Sequence, residues 1–140
     1  NQYPRAWKIE IDNPIFGVGP KLFRVYCNDE KYEIDEYTCS THPHNTYLQV
    51  LAELGTVGFI FILIVFIYVL FKSFEKFKSN IYKKKSNISD YQACLLICFI
   101  LTLWPAIPTQ GAFNNWINII YFLPVGFYLQ SVYSNKIIKD

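Results

Sequence analysis

Three stretches of the chain lose the mixing of apolar and polar residues altogether. Residues 54–71 read LGTVGFIFILIVFIYVLF without a charged side chain, and 93–107 and 116–133 are uncharged as well. A helix of eighteen residues rises about 27 Å, close to the hydrocarbon thickness of a bilayer. A helix at the edge of a soluble core needs one apolar stripe, whereas the first run is apolar on every face. The pattern predicts an all-α integral membrane fold with three transmembrane helices. Residues 1–42 form a loop region, 43–72 a helix entering and crossing the membrane, and 73–90 a basic connection. Residues 91–133 supply two further spans with a short loop between them, and 134–140 form a tail.

The polar punctuation predicts the local elements. A short helix or extended piece is expected around 6–11, with turns at Asn13-Pro14 and across 17–20, where Gly17-Val18-Gly19 reads as a turn. Residues 21–40 alternate weakly and fit either a small hairpin or a loop closed by a disulfide. Pro43 suits the first turn of the next helix, since its missing N–H has no helical partner there. Gly55 and Gly58 allow close helix packing or a local bend. Phe74, Phe77 and Ile81 keep helical spacing among lysines, as in a segment lying on the inner leaflet. Ser89-Asp90-Tyr91-Gln92 matches a capping box, and the second span is expected to end near Trp104-Pro105. Trp104 and Trp116 flank the loop between the last two spans, as interfacial aromatics do. Pro124 and Gly126 predict a kink in the third span.

Charge orients these spans. Lys72, Lys76, Lys78, Lys83, Lys84 and Lys85 face only Glu75 and Asp90 in the first connection, which places 72–90 on the cytoplasmic side. Residues 134–140, with Lys136 and Lys139, return to that side. Residues 108–115 (PTQGAFNN) then lie outside, as do residues 1–48, which lean acidic through Glu10, Asp12, Asp29, Glu30, Glu33, Asp35 and Glu36. The formal net charge of +2 points to no nucleic-acid partner. The chain contains no methionine, so it is expected to start partway through a longer protein or after a cleavage.

The cysteines fall into two pairs. Cys27 and Cys39 lie in the external segment, where an oxidising compartment permits a disulfide worth about 3 kcal/mol in the chain-entropy treatment. Cys94 and Cys98, four apart on a helix, are too poorly aimed to bridge and read as apolar fillers.

Candidate chemistry concentrates in HPHNTYLQVLAELGTVG. With Pro43 opening a helix, His44, Tyr47, Leu48 and Leu51 share one face, and Asn45, Gln49, Glu53 and Thr56 form a polar stripe running toward the membrane. Polar groups so placed tend to face a cavity or another helix. His44 and Glu53 are nine residues apart, roughly opposite on a helix, so no direct pair is expected. His44 fits either a general base acting on a hydroxyl or a residue capping the helix start. His42 and His44 together suggest half of a metal site without a third ligand. Arg5, Lys21 and Arg24 are the external cations beside the turns. They suit a pyrophosphate headgroup or, more plainly, solvated charges and surface ion pairs.

The succession PRAW, NPIFGVGPKLFR and HPHNTYLQVLAELGTVGF resembles the carboxyl-terminal part of the O-antigen ligase and O-antigen polymerase family, over about residues 4–72. That resemblance implies a many-helix bundle of the C-type glycosyltransferase kind in the bacterial inner membrane, with 1–48 and 108–115 in the periplasm. It implies transfer of a glycan from an undecaprenyl-pyrophosphate carrier to an acceptor sugar hydroxyl, on the lipopolysaccharide core or another lipid-linked repeat, without a metal or other cofactor. By the same resemblance His44 activates the acceptor hydroxyl, Arg5 engages the pyrophosphate, and Asn45 and Glu53 match motif positions counted here as substrate-binding, while Lys21 and Arg24 are read as substrate-binding from their charge and place beside the turns. This reading expects His44 and Arg5 to converge on one cavity. The rival is a non-catalytic membrane protein, a transporter or assembly subunit with a disulfide-closed external loop.

Overall fold

The computed structural model describes residues 2–34 and 39–137. Asp35, Glu36 and Lys139 lie outside the described residues, as does the side chain of Lys136. Among the described residues every regular element is helical. These are α1 (Tyr3–Asp12), α2 (Phe23–Tyr26), a 3-10 turn (Glu30–Tyr32), α3 (Thr46–Ile81), α4 (Asp90–Thr102) and α5 (Asn115–Ile137). The weak alternation after residue 20 therefore becomes short helical turns rather than a hairpin.

The chain divides into two units. The first comprises the residues up to Ile64 together with Pro105–Ile117. In it α1 starts beside Pro4 and stops at Asn13, whose amide Nδ2 donates to the Ile9 carbonyl at 3.3 Å just before Pro14 bars another turn. Ala6 and Ile9, one turn apart, pack with Phe23, Cys27, Tyr32 and Ala52 into a small core. Burying side chains such as Ile9 and Phe23 stabilises by about 1.5–3 kcal/mol each. The Tyr26 and Tyr32 rings meet with centroids 6.1 Å apart, and Lys31 Nζ reaches Asp12 Oδ2 at 2.6 Å across the surface. A disulfide joins Cys27 to Cys39, with the two Cα atoms 5.7 Å apart.

The start of α3 differs from the sequence expectation. Pro43 and His44 precede the helix, because His44 adopts a left-handed backbone with φ 56°. Asn45 performs the capping: its Oδ1 accepts the N–H groups of Tyr47 at 3.0 Å and Leu48 at 3.1 Å. A side-chain cap of this kind is worth about 1 kcal/mol. The face shared by His44, Tyr47, Leu48 and Leu51 consequently does not form.

α3 breaks once, at Gly55, where φ is 65° and ψ −164°. The break frees the carbonyls of Ala52 and Glu53 and the N–H groups of Thr56 and Val57, and the turn at 14–19 takes all four. Val18 N–H donates to Ala52 O at 3.0 Å and Gly19 N–H to Glu53 O at 2.8 Å. In the other direction Thr56 N–H donates to Pro14 O at 2.8 Å and Val57 N–H to Ile15 O at 3.3 Å. Gly55 thus provides the bend, and Gly17-Val18-Gly19 is a helix-docking turn.

The second unit comprises Val65–Trp104 with the residues from Asn118 onward. Val69, Ile88, Leu96, Phe99 and Tyr128 form its core, with the Phe99 and Tyr128 rings edge to face at 6.1 Å. The capping box at α4 is present: Gln92 N–H donates to Ser89 Oγ at 3.2 Å, and Ser89 N–H donates to Gln92 Oε1 at 3.0 Å. α3 continues without interruption to Ile81, so the lysine-rich stretch through Lys78 extends the same helix. Lys76 Nζ pairs with Asp90 Oδ1 at 2.9 Å. Pro124 sits inside α5.

Among the described residues α3 is the helix long and apolar enough to cross a membrane, and only 17% of its most apolar window is buried. The core helix of a soluble protein would be mostly buried. α4, at 13 residues, rises only about 20 Å, short of a hydrocarbon core of about 30 Å. Where the sequence predicts three spans, one is seen.

Candidate functional site

The polar stripe of α3 organises the first unit. Its members recur every third or fourth residue and each holds a different piece of chain. Asn45 Nδ2 donates to Pro105 O at 2.8 Å. Gln49 Oε1 accepts Ala112 N–H at 2.8 Å, and Gln49 Nε2 donates to Glu53 at 3.3 Å. Glu53 Oε2 accepts Lys21 N–H at 2.9 Å and Glu53 Oε1 accepts Phe23 N–H at 3.0 Å. Thr56 Oγ1 donates to Pro14 O at 2.6 Å. Between the first two rungs, Thr46 Oγ1 donates to Thr109 Oγ1 at 2.8 Å, and Thr109 N–H donates to His44 O at 3.0 Å. The stripe therefore faces loops on both sides rather than another helix.

Glu53 is 0% exposed. A carboxylate taken out of water needs several donors, and here two backbone amides and one side-chain amide converge on it. It caps the start of α2 from a distance, and so fixes the stretch that carries Lys21 and Arg24. Lys21 has φ 65°, a left-handed conformation unusual for a residue with a side chain, and its amide bond to Glu53 holds it there.

Loops fixed in this way line an open cleft of about 510 Å³. Lys21, Arg24, Thr41, His42 and Gln49 line it together with residues from the 110–116 segment, Gln110, Asn115 and Trp116 among them. The volume is in the range of small-ligand sites. Two cations thus share the cleft with a run of amides and aromatic rings.

Of the sequence-predicted residues, Lys21 and Arg24 line the cavity together. Arg5 lies elsewhere in the unit. It is 3% exposed in the small core, and its guanidinium reaches the Cys27 carbonyl at 3.5 Å and the Cys27 sulfur at 3.9 Å. His44 is exposed and outside the cavity wall, but its ring touches the His42 ring with centroids 4.3 Å apart. The expected convergence of Arg5 and His44 on one cavity is not seen. Asn45 and Glu53 are buried and engaged in holding loops.

His42, considered from sequence only as half of a metal pair, lines the cavity. Its Nδ1 lies 3.0 Å from Thr41 Oγ1, while its Nε2 is buried without a hydrogen-bond partner. Burial, and then the neighbouring His44, hold its imidazole below the usual histidine range, opposed weakly by the Thr109 backbone. The other missed residues, 110–116, lay in what read as a connection. Their signal was an uncharged run rich in amides, set between two tryptophans.

No curated protein and no solved structure matches the chain. Residues 1–63 match the family model described as O-antigen ligase. The matched segment contains Lys21, Arg24, His42 and His44, the whole polar stripe, and both sides of the Gly17–Gly55 contact. Residues 1–63, a little under half of the chain, are thus similar to the O-antigen ligase family.

Proposed function

We propose that this chain is part of a membrane glycosyltransferase that moves a glycan from an undecaprenyl-pyrophosphate carrier to an acceptor sugar hydroxyl, on the lipopolysaccharide core or on another lipid-linked repeat. The observation that carries this reading is the presence of Lys21 and Arg24 on one cavity within the segment that matches the family. The ammonium and guanidinium groups neutralise the charge that grows on the pyrophosphate as its bond to the anomeric carbon breaks. The acceptor oxygen forms the new glycosidic bond, its proton passes to His44, and the carrier pyrophosphate departs. The His42 ring packs against His44 and supports the side chain that takes the proton.

In this reading Arg5, Asn45 and Glu53 are positioning residues. Arg5 ties α1 to the Cys27 carbonyl, Asn45 ties α3 to Pro105, and Glu53 sets the cation-bearing turn. α3, the stretch 90–107 (α4 lengthened by the residues that follow it) and α5 serve as three spans of a larger C-type bundle. Residues 1–48 and 108–115 then face the periplasm, and 72–90 and 134–140 the cytoplasm. The lysine-rich connection supports that orientation. The many exposed apolar side chains of α5, such as Ile120 and Phe122, support its contact with lipid or further helices.

The test is to place Arg24→Ala, Lys21→Ala and His44→Ala separately in the full-length protein and follow surface glycan by gel. Loss of glycan at normal protein level is expected for His44→Ala, with a deep reduction for the two cation variants. Normal glycan in all three would remove the reading. Arg5→Ala is a poor probe, because losing a buried guanidinium disturbs the fold as well.

A further inference from the structure

We infer that the 110–116 wall of the cavity is a subsite for a neutral sugar, with the indole of Trp116 and the amides of Gln110 and Asn115 as its contact groups. The inference rests on the reading above, which assigns Lys21 and Arg24 of the same cavity to pyrophosphate, and it adds where the glycan sits. Three observations carry it.

The first is anchoring. A connection that merely joins two helices needs no dedicated supports, yet α3 fixes this one with Asn45 on Pro105, Thr46 on Thr109 and Gln49 on Ala112. The second is chemistry. Residues 108–115 carry no charge at all, although they line the same cavity as Lys21 and Arg24. Amide side chains both donate and accept, which matches the paired donor and acceptor character of sugar hydroxyls, whereas a phosphate wants donors alone. The third is the ring. Trp116 is 82% exposed on the cavity rim. It sits at the start of α5, where Asn114 Oδ1 accepts the backbone N–H of Trp116 at 3.1 Å. A flat apolar face with a polar edge suits the C–H face of a pyranose beside its hydroxyls.

An interfacial tryptophan that only grips the membrane would occupy a similar place, so the experiment separates the two. Full-length protein in detergent is titrated with two probes, a neutral oligosaccharide released from the cell's own surface polysaccharide and undecaprenyl pyrophosphate bearing no glycan. Trp116→Leu and Gln110→Ala are expected to weaken oligosaccharide binding, by about tenfold for the tryptophan, the size of one lost stacking contact. Carrier binding should stay unchanged in both, and Trp116→Phe should retain most of the sugar affinity. Arg24→Ala should show the reverse pattern. Oligosaccharide binding that is absent in the wild type, unaffected by Trp116→Leu, or lost equally with carrier binding would overturn the inference. If instead Trp116→Leu loses only the sugar while Arg24→Ala leaves carrier binding intact, the subsite stands and the pyrophosphate assignment falls.

Discussion

Gly17 and Gly55 occupy each other's side-chain space. Both have left-handed backbones, with φ 64° and 65°. A Cβ on Gly17 would come within 2.6 Å of the Gly55 nitrogen, and a Cβ on Gly55 within 2.6 Å of the Gly17 nitrogen. The obstacle in each case is backbone, which has no rotamer by which to yield. This contact lets the turn at 14–19 dock on the broken α3 and hand over four backbone hydrogen bonds.

Alanine at either glycine is therefore expected to be strongly destabilising. The left-handed backbone alone costs about 1–2 kcal/mol for a residue with a Cβ, and the collision adds to it. Because both substitutions open the same contact, the double variant should lose less than the sum of the singles. Thermal unfolding of detergent-solubilised protein measures all three. Additive losses would mean that the two glycines act separately.

Glu53→Ala leaves the Phe23 and Lys21 amides without their acceptor, at about 1–3 kcal/mol for each donor that stays buried. The turn carrying Lys21 and Arg24 should loosen before the rest of the unit. Hydrogen exchange is expected to accelerate across 21–27 while α1 keeps its protection. Unchanged exchange there would show that the carboxylate does not hold the turn.

The disulfide ties together two segments that each carry cavity-lining residues: Cys27 follows Arg24 by three residues, and Cys39 precedes His42 by three. Replacing both cysteines by serine is expected to lower stability by about 3 kcal/mol and to reduce glycan transfer by letting the two segments drift apart. Thiol labelling of unreduced protein should find Cys27 and Cys39 blocked and Cys94 reactive. Reactive Cys27 would end this account.

His42 gives stability a pH dependence of known sign. Its folded-state pKa lies below the ordinary value of 6.5, chiefly through burial. The unfolded chain therefore takes up the proton first as pH falls. The contribution is complete above about pH 6.5 and is lost as pH drops from there through the depressed value. In His42→Gln the melting temperature should fall less between pH 7 and pH 5 than in the wild type. Parallel curves would contradict the burial of that ring.

The long-range organisation of this protein was only partly legible in its residues. Capping of α4 by Ser89 and Gln92 was readable because the box is local and the same atoms appear in the sequence pattern. The spacing of Asn45, Gln49, Glu53 and Thr56 announced a polar stripe, but not its partners, since Pro105 and Ala112 lie 60 and 63 residues downstream. The helix start moved from Pro43 to Thr46 because Asn45 caps better than proline begins, with His44 turned left-handed before it. Arg5 was read as a ligand of phosphate from its charge and from the family resemblance, and nothing local revealed that it would turn to the Cys27 carbonyl. The choice between His42 and His44 as the cavity-lining ring depended on that same left-handed residue.

The bonds from Asn45 and Gln49 to the segment beyond α4 impose an order on biogenesis. When a ribosome has produced α3, these amides wait for a strip of chain that exists only after residue 112 has been translated. A protein truncated or wrongly threaded between the two would display an empty, sticky flank and be visible to quality-control proteases. The cavity is thus completed only after α4 has been made, as a check that the chain has threaded correctly.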